Sequence, residues 1–130
     1  MDGSKTSRGN KIPFSSPMMN YATYGGVPRN AITEFYGEPS GGKSTTAIDI
    51  CKTACTLFKQ EYEDQVSSLT QFVAAGNKTA QGELDDIQDR GPKKVLYIDL
   101  EHSFDSAWAA TLGINDSDID IMQPPVYLHQ

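Results

Sequence analysis

The stretch Gly37-Glu38-Pro39-Ser40-Gly41-Gly42-Lys43-Ser44 matches the pattern G-x-x-x-x-G-K-[ST] at every defined position. Residues 32–36 ahead of it are β-branched and aromatic, as expected of a strand, and residues 44–48 behind it are suited to open a helix. Glycines in such a loop adopt backbone angles closed to other residues, so that successive N–H groups turn inward around a phosphate. The pattern therefore predicts a nucleotide-binding loop.

Each part of this loop has a role in holding a triphosphate. The N-terminus of the following helix adds partial positive charge. The ammonium group of Lys43 would reach the β- and γ-phosphates, and the hydroxyl of Ser44 would ligate the Mg²⁺ that bridges them. The alternative is a glycine-rich turn that arose by composition alone, and the two flanking elements argue against it.

Composition limits the class of protein. A chain of 130 residues allows one domain, and its net charge of −6 argues against a broad nucleic-acid-binding face. No apolar run approaches the ~20 residues that span a bilayer and no signal-peptide pattern opens the chain, so a cytoplasmic location without a membrane partner is expected. Cys51 and Cys55 lie four apart on one predicted helix face, which favours buried thiols over a disulfide or a metal site.

The spacing of apolar residues predicts two consecutive helices after the loop. Residues 1–11 hold almost nothing apolar and predict a disordered N-terminal arm, so the folded part is expected over residues 12–130. Apolar residues then recur at intervals of three and four, which predicts one helix of about 50 Å from Lys43 to Ala75. Gly76-Asn77 ends it, and a second, acidic helical stretch runs on to Gly91-Pro92.

A second group of polar residues follows an apolar run. Residues 95–98 suit a central parallel strand covered on both faces. The run ends in Asp99-Leu100-Glu101-His102, and carboxylates at the carboxyl end of such a strand lie where doubly wound sheets bind ligands. The remaining predicted elements are a helix capped by Ser103 and closed by Gly113 and a third strand at residues 119–122.

These motifs resemble the RecA-type recombinases over about residues 18–124. The more diagnostic segment is Tyr97-Ile98-Asp99-Leu100-Glu101-His102-Ser103-Phe104-Asp105, since phosphate loops occur in many unrelated enzymes. The turn Gly25-Gly26-Val27-Pro28 precedes both motifs and Met122-Gln123-Pro124 follows them, in the family's order. The resemblance implies an α/β fold: a partial RecA-like P-loop NTPase core, with a mostly parallel sheet, crossover helices and a long helical insertion.

The resemblance also implies the roles of individual residues. Glu101 matches the family's catalytic glutamate, which polarises the water that attacks the γ-phosphate, with Lys43 acting on the phosphates. Asp105 and Trp108 match positions that contact the adenine, although a lone Trp on a short helix also suits a buried core position. The residues implied to bind ATP and Mg²⁺ are Gly37, Glu38, Pro39, Ser40, Gly41, Gly42, Lys43, Ser44, Thr45, Asp105 and Trp108, with Ser44 on the metal.

A competing interpretation concerns Asp99. An apolar run followed by Asp is also the Walker B form, in which Asp99 would ligate Mg²⁺ directly. We prefer Glu101 as the base with Asp99 in a supporting position, because His102 and Asp105 fit the recombinase segment.

Two features depart from the family's pattern. The order Glu38-Pro39 reverses the family's proline and glutamate, which puts the role of that acidic residue in filament contacts in doubt. The connection from Ser44 to Val95 exceeds the family's single helix, and we interpret residues 60–90 as an insertion that extends the helix and returns along it.

The expected function is that of the ATP-binding segment of a DNA-dependent ATPase in homologous recombination and DNA repair, with the insertion suggesting a phage or mobile-element source. The complete protein is expected to form filaments on single-stranded DNA, which it would bind through regions beyond this chain, and to exchange strands. Because the chain ends after three candidate strands, we expect an N-terminal part of the core that binds ATP weakly and shows little DNA-stimulated hydrolysis. The alternatives are another P-loop ATPase, such as a helicase-like motor or a small-molecule kinase, and a non-enzymatic nucleotide-binding module.

Overall fold

A computed structural model of the protein describes residues 10–38, 42–102 and 104–125. The helices in these ranges are α1 (Pro17–Ala22), α2 (Lys43–Ala74), α3 (Lys78–Arg90) and α4 (Ser106–Thr111), with a 3-10 turn at Asp116–Asp118. The strands are β1 (Lys11–Ile12), β2 (Val27–Pro28), β3 (Val95–Ile98) and β4 (Ile119–Met122). Of the predicted N-terminal arm, residues 1–9 lie outside the described residues, and Lys11 belongs to β1.

The two long helices form a hairpin, as the apolar spacing predicted. Helix α2 has 32 residues, close to 48 Å at about 1.5 Å per residue, and ends one residue before the predicted position. Gly76 adopts φ +94°, a conformation that favours glycine, and so turns the chain. The side chain of Asn77 then caps α3 by accepting hydrogen bonds from the N–H groups of Thr79 and Ala80. Helix α3 packs back against α2.

The described sheets are small. Strands β3 and β4 pair in parallel, with Val95 opposite Ile119 and Ile98 opposite Met122, while β1 and β2 form a separate antiparallel ribbon. Both later strands confirm the sequence prediction. The mostly parallel sheet expected from the resemblance is represented here by this one pair of strands.

The prediction that β3 is covered on both faces is wrong. Leu96 and Ile98 are 56% and 54% exposed, whereas Val95 and Tyr97 pack against the core. The core cluster, with side chains from α2 and α4, packs against one face of β3 only. Successive side chains of β3 therefore alternate between this covered face and an open one.

The strand predicted at residues 32–36 is also absent. This segment is irregular in the structure, with Ile32 99% and Tyr36 88% exposed. Its β-branched and aromatic composition favours a strand only where a neighbouring strand supplies hydrogen bonds and a surface to pack on, and no described strand pairs with it.

The start of α4 also differs from the prediction. Ser103, the expected cap, lies outside the described residues, and α4 begins at Ser106. Asp105 is the N-cap, because its Oδ1 accepts hydrogen bonds from the N–H groups of Ala107 at 2.9 Å and Trp108 at 3.2 Å.

The main core joins α2 to the sheet and α4. Four buried residues form its centre, and five half-buried residues pack around them. The buried four are Ile48, Ala109, Ile114 and Ile119, and the others are Cys51, Val95, Tyr97, Phe104 and Leu112. Both cysteines are free thiols: Cys55 is buried, as predicted, whereas Cys51 is half-buried. Burial raises the pKa of Cys51 to about 11, so this thiol stays protonated at neutral pH.

An ion pair helps to fasten the antiparallel ribbon to the middle of α2. Arg29 follows β2 and donates hydrogen bonds to both carboxylate oxygens of Glu61, at 2.5 Å and 3.1 Å. Its guanidinium also lies 5.5 Å from the centre of the Phe58 ring. The hydrogen bond from Arg29 lowers the pKa of Glu61 and raises the pKa of Arg29.

This pair predicts a pH dependence of stability. Because the pKa of Glu61 is lower in the folded chain, its contribution to stability is complete above the ordinary Glu pKa and is lost as pH falls through the folded pKa. Glu61→Gln should lower the free energy of unfolding at pH 7 by about 0.5–1 kcal/mol, since both side chains are partly exposed, and should reduce the further loss on acidification. Urea unfolding at pH 7 and at about pH 3.5 measures both effects.

A matched control is Asp86→Asn, which breaks the exposed ion pair between Asp86 and Arg90 on α3. This change should leave the unfolding free energy nearly unaltered. If Glu61→Gln and the unsubstituted chain lose equal stability on acidification, the structural role assigned to Glu61 is wrong.

Candidate functional site

The end of the predicted phosphate loop forms the N-terminus of α2. Gly42 is the N-cap with φ +89°, again a conformation that favours glycine, and Lys43 is the first helical residue. Nζ of Lys43 donates a 2.8 Å hydrogen bond to the carbonyl oxygen of Gly37, the first residue of the motif. The lysine therefore spans the loop from one end to the other. Pro39, Ser40 and Gly41 lie outside the described residues.

The side chains at this helix start are accessible to a ligand. Lys43, Ser44 and Thr45 are exposed, and a cavity of about 270 Å³ opens between Lys43, Gly42 and Tyr36. Unpaired N–H groups in the first turn of a helix, together with its partial positive charge, attract an anion. The arrangement offers three elements of a phosphate site: N–H donors, an ammonium group and a hydroxyl.

The second predicted group of site residues lies in the acidic turn, which we define as residues 99–102. Asp99 is buried, at 4% exposed, and its Oδ2 accepts hydrogen bonds from the N–H of Phe104 at 2.7 Å and from Nε2 of Gln123 at 3.1 Å. Its own N–H donates to the carbonyl of Met122 at 2.8 Å. Asp99 thus joins the ends of β3 and β4 to the segment that leads into α4.

Glu101 is exposed in the same turn and is followed by a residue in a strained conformation. His102 adopts φ +57°, which costs a residue with a Cβ about 1–2 kcal/mol. Its Nε2 lies 2.6 Å from the carbonyl oxygen of Pro124. Because a carbonyl only accepts, Nε2 carries the proton and donates. Glu101 therefore lies between two anchored residues, Asp99 and His102, and points to solvent from a fixed turn.

The direction of α2 relative to the sheet follows from two contacts near its middle. Nζ of Lys59 lies 2.7 Å from Oδ2 of Asp118, and Sγ of Cys55 donates a 3.6 Å hydrogen bond to the carbonyl of the same residue. Asp118 immediately precedes β4. One helical turn earlier, Cys51 packs against the same buried cluster as Tyr97, the third residue of β3. The helix therefore runs opposite to the two strands.

This direction places the loop and the acidic turn at one end of the molecule. From Cys51 back to Lys43 the helix rises about 12 Å. From Tyr97 the strand continues in the same direction to its end at Ile98, where the chain enters the acidic turn. Burial raises the pKa of Tyr97, and the negative charges of Asp99, Cys51 and Glu101 raise it further. The N-terminus of α2 and both carboxylates therefore lie beyond the carboxyl end of the sheet.

The two residues predicted to contact adenine are the N-cap of α4, Asp105, and its third residue, Trp108. Asp105 uses Oδ1 to cap that helix, so its observed hydrogen bonds are local. Trp108 is 38% exposed and so keeps accessible surface on its ring. Phe104 packs against Tyr97 with ring centres 5.0 Å apart, which holds the start of α4 next to the acidic turn. The adenine contacts of Asp105 and Trp108 stay predictions.

Sequence reasoning missed the part played by Gln123 and Pro124. Both residues belong to the family-like segment Met122-Gln123-Pro124, yet their contacts with Asp99 and His102 connect segments more than 20 residues apart. A signal was present, because a polar amide follows the apolar run 119–122, and the carboxyl ends of neighbouring parallel strands meet at one edge.

Within residues 10–38, 42–102 and 104–125, no group of three or more His, Cys, Asp or Glu side chains is arranged to hold a metal ion by itself. None of the helices in the described part of the chain has both the length and the apolar character needed to cross a membrane.

Comparison with known proteins identifies relatives over most of this chain. It is 31% identical over 100 residues to Protein RecA of Deinococcus radiodurans, covering 77% of this chain and 18% of the relative. It is 29% identical over 114 residues to Protein RecA of Herpetosiphon aurantiacus, covering 87% of this chain and 22% of the relative. It is 28% identical over 114 residues to the mitochondrial DNA repair protein recA homolog of Dictyostelium discoideum, covering 87% of this chain and 18% of the relative. The chain thus spans about a fifth of the length of these relatives. No family model and no solved structure matches it.

Proposed function

We propose that this chain, which belongs to the RecA-type recombinase family, is the ATP-binding segment of a DNA-dependent ATPase that acts in homologous recombination and DNA repair. The observation that carries the proposal is the placement of the loop-bearing N-terminus of α2 and the acidic turn at the same end of the sheet. A phosphate held at the helix start would then lie within reach of a carboxylate from β3.

The residues present fit a nucleotide bound with Mg²⁺. The N–H groups at the start of α2 and the ammonium of Lys43 would bind the phosphates, and the hydroxyl of Ser44 would take one metal ligand position. Mg²⁺, when bound, would neutralise phosphate charge. Asp99 would support the site through its hydrogen bonds, while the exposed Glu101 would accept a hydrogen bond from the attacking water.

We further propose that single-stranded DNA binds, and that filaments assemble, through regions of the complete protein beyond this chain. The charge distribution supports this assignment. Residues 60–90, which include the paired ends of α2 and α3, hold seven of the 17 acidic residues and only two of the 11 basic ones. This hairpin would repel a phosphate backbone at ordinary ionic strength.

The experiment that tests ATP binding is a titration of the chain with a fluorescent ATP analogue, with Mg²⁺ and with EDTA. We expect saturable binding that Mg²⁺ strengthens by about tenfold, because the Ser44 hydroxyl would help to hold an ion that neutralises phosphate charge. Unlabelled ATP should displace the analogue, whereas adenosine, which has no phosphate, should not. Absence of saturable binding up to about 1 mM, or equal competition by adenosine, would contradict the proposal.

A further inference from the structure

We infer that Gln123 is a positioning residue for the acidic turn, and that its hydrogen bond to Asp99 determines where the Glu101 carboxylate points. This inference rests on the proposed function, because it assigns Gln123 a part in the hydrolysis carried out by Glu101. Gln123 itself would touch neither the nucleotide nor the water.

The first support is the position of the Gln123 amide. Gln123 directly follows β4, and its Nε2 reaches across to Oδ2 of Asp99, which directly follows the neighbouring strand β3. The same oxygen accepts the N–H of Phe104, beyond the acidic turn. One buried carboxylate oxygen therefore connects the end of β4, the end of β3 and the far side of the turn. Removing the amide takes away a donor on this oxygen that comes from the end of β4, whereas the N–H of Phe104 remains.

The second support is the neighbouring anchor. Pro124, the next residue along, accepts the hydrogen bond from His102, whose left-handed backbone requires restraint from its surroundings. Two consecutive residues thus hold the chain on both sides of Glu101: Gln123 holds Asp99, two positions before it, and Pro124 holds His102, directly after it. A displacement of the 123–124 segment would move both anchors together and reorient the exposed carboxylate between them.

A purely structural role makes different predictions from a positioning role. If Gln123 only stabilised the end of the sheet, its loss would lower the free energy of unfolding and leave the folded molecules with normal turnover. If Gln123 positions Glu101, turnover per folded molecule falls while the affinity for ATP, which depends on the loop, stays the same.

The test compares Gln123→Leu with Gln81→Leu. Leucine keeps a similar side-chain volume and removes the donor. Gln81 is a matched control because its Nε2 also donates to an Asp carboxylate, Oδ1 of Asp85 at 2.8 Å, on the exposed surface of α3. We expect hydrogen exchange of the Phe104 amide, followed by NMR without nucleotide, to accelerate about tenfold in Gln123→Leu. Single-turnover ATP hydrolysis should slow about tenfold, with the Kd for ATP changed by less than about twofold, and Gln81→Leu should change none of these.

The outcomes separate this inference from the proposed function. Unchanged exchange of the Phe104 amide in Gln123→Leu would overturn the inference whether or not the chain binds ATP. Slower turnover accompanied by an equal loss of ATP affinity, or equal effects in Gln81→Leu, would also overturn it. Failure of the unsubstituted chain to bind ATP would instead overturn the proposed function, and the exchange result would still decide whether Gln123 holds the turn.

Discussion

Lys43→Ala is expected to weaken the binding of Mg²⁺-bound ATP by about 10- to 100-fold, the effect of losing one charge-assisted contact with the phosphates. The expectation rests on the observed position of Lys43 as the first residue of α2, with its ammonium held across the loop 2.8 Å from the carbonyl of Gly37. Fold stability should change little, because the side chain is exposed. Titration with the fluorescent analogue measures the loss of affinity, and thermal unfolding checks the fold.

Lys78→Ala provides the matched control. Lys78 is the first residue of α3, just as Lys43 is the first residue of α2, but its N-cap is Asn77, whose side chain already accepts two of the free N–H groups. A general loss of positive charge at a helix start would affect both variants alike. We expect the Kd for ATP to change by less than about twofold in Lys78→Ala. Equal weakening in the two variants would show that the nucleotide does not bind at the loop.

Glu101→Gln, introduced into the complete protein, is expected to lower ATP turnover by about 10²- to 10⁴-fold while ATP binding and stability remain unchanged. The amide keeps the size of the side chain but is a much weaker acceptor for the proton of the attacking water. Because Glu101 is exposed, its replacement disturbs no packing. Single-turnover hydrolysis and the ATP titration, performed on the same sample, measure the two effects separately.

Asp99→Asn should behave differently. Asp99 is 4% exposed and accepts hydrogen bonds from Phe104 and Gln123. Because the amide weakens these hydrogen bonds, Asp99→Asn should lower the free energy of unfolding by about 1–3 kcal/mol and reduce turnover indirectly. The Walker B interpretation predicts the opposite pattern. If Asp99→Asn abolished Mg²⁺-dependent binding in a chain that stayed folded, while Glu101→Gln left hydrolysis intact, our assignment of the two carboxylates would be wrong.

Local patterns accounted for the long helices and the later strands. The spacing of apolar residues after Lys43 and the glycine at position 76 act within a few residues of one another, so the end of α2 was predicted to within one residue. The strands at residues 95–98 and 119–122 were also predicted from a local pattern, a short apolar run. The predicted phosphate loop stands out in the sequence because binding a phosphate in this way requires a contiguous motif.

Non-local contacts account for what was missed. Residues 32–36 have the composition of a strand, yet strand formation depends on a partner outside the segment. The cap of α4 moved to Asp105, whose carboxylate reaches the N–H groups of the first turn. The contacts of Gln123 with Asp99 and of Pro124 with His102 arise only when β3 and β4 pair in parallel. No spacing within the sequence encodes which of these side chains meet.

The central claim is that the loop at the start of α2 and the acidic turn form one nucleotide site. The most direct test is NMR of the 130-residue chain with ATP and Mn²⁺ in place of Mg²⁺, since the paramagnetic ion broadens the signals of amides near it. We predict that broadening affects residues 43–46 and 99–102 together and spares the turn at residues 76–79 between the two long helices. Broadening of only one of the two site segments, or of neither, would contradict the account.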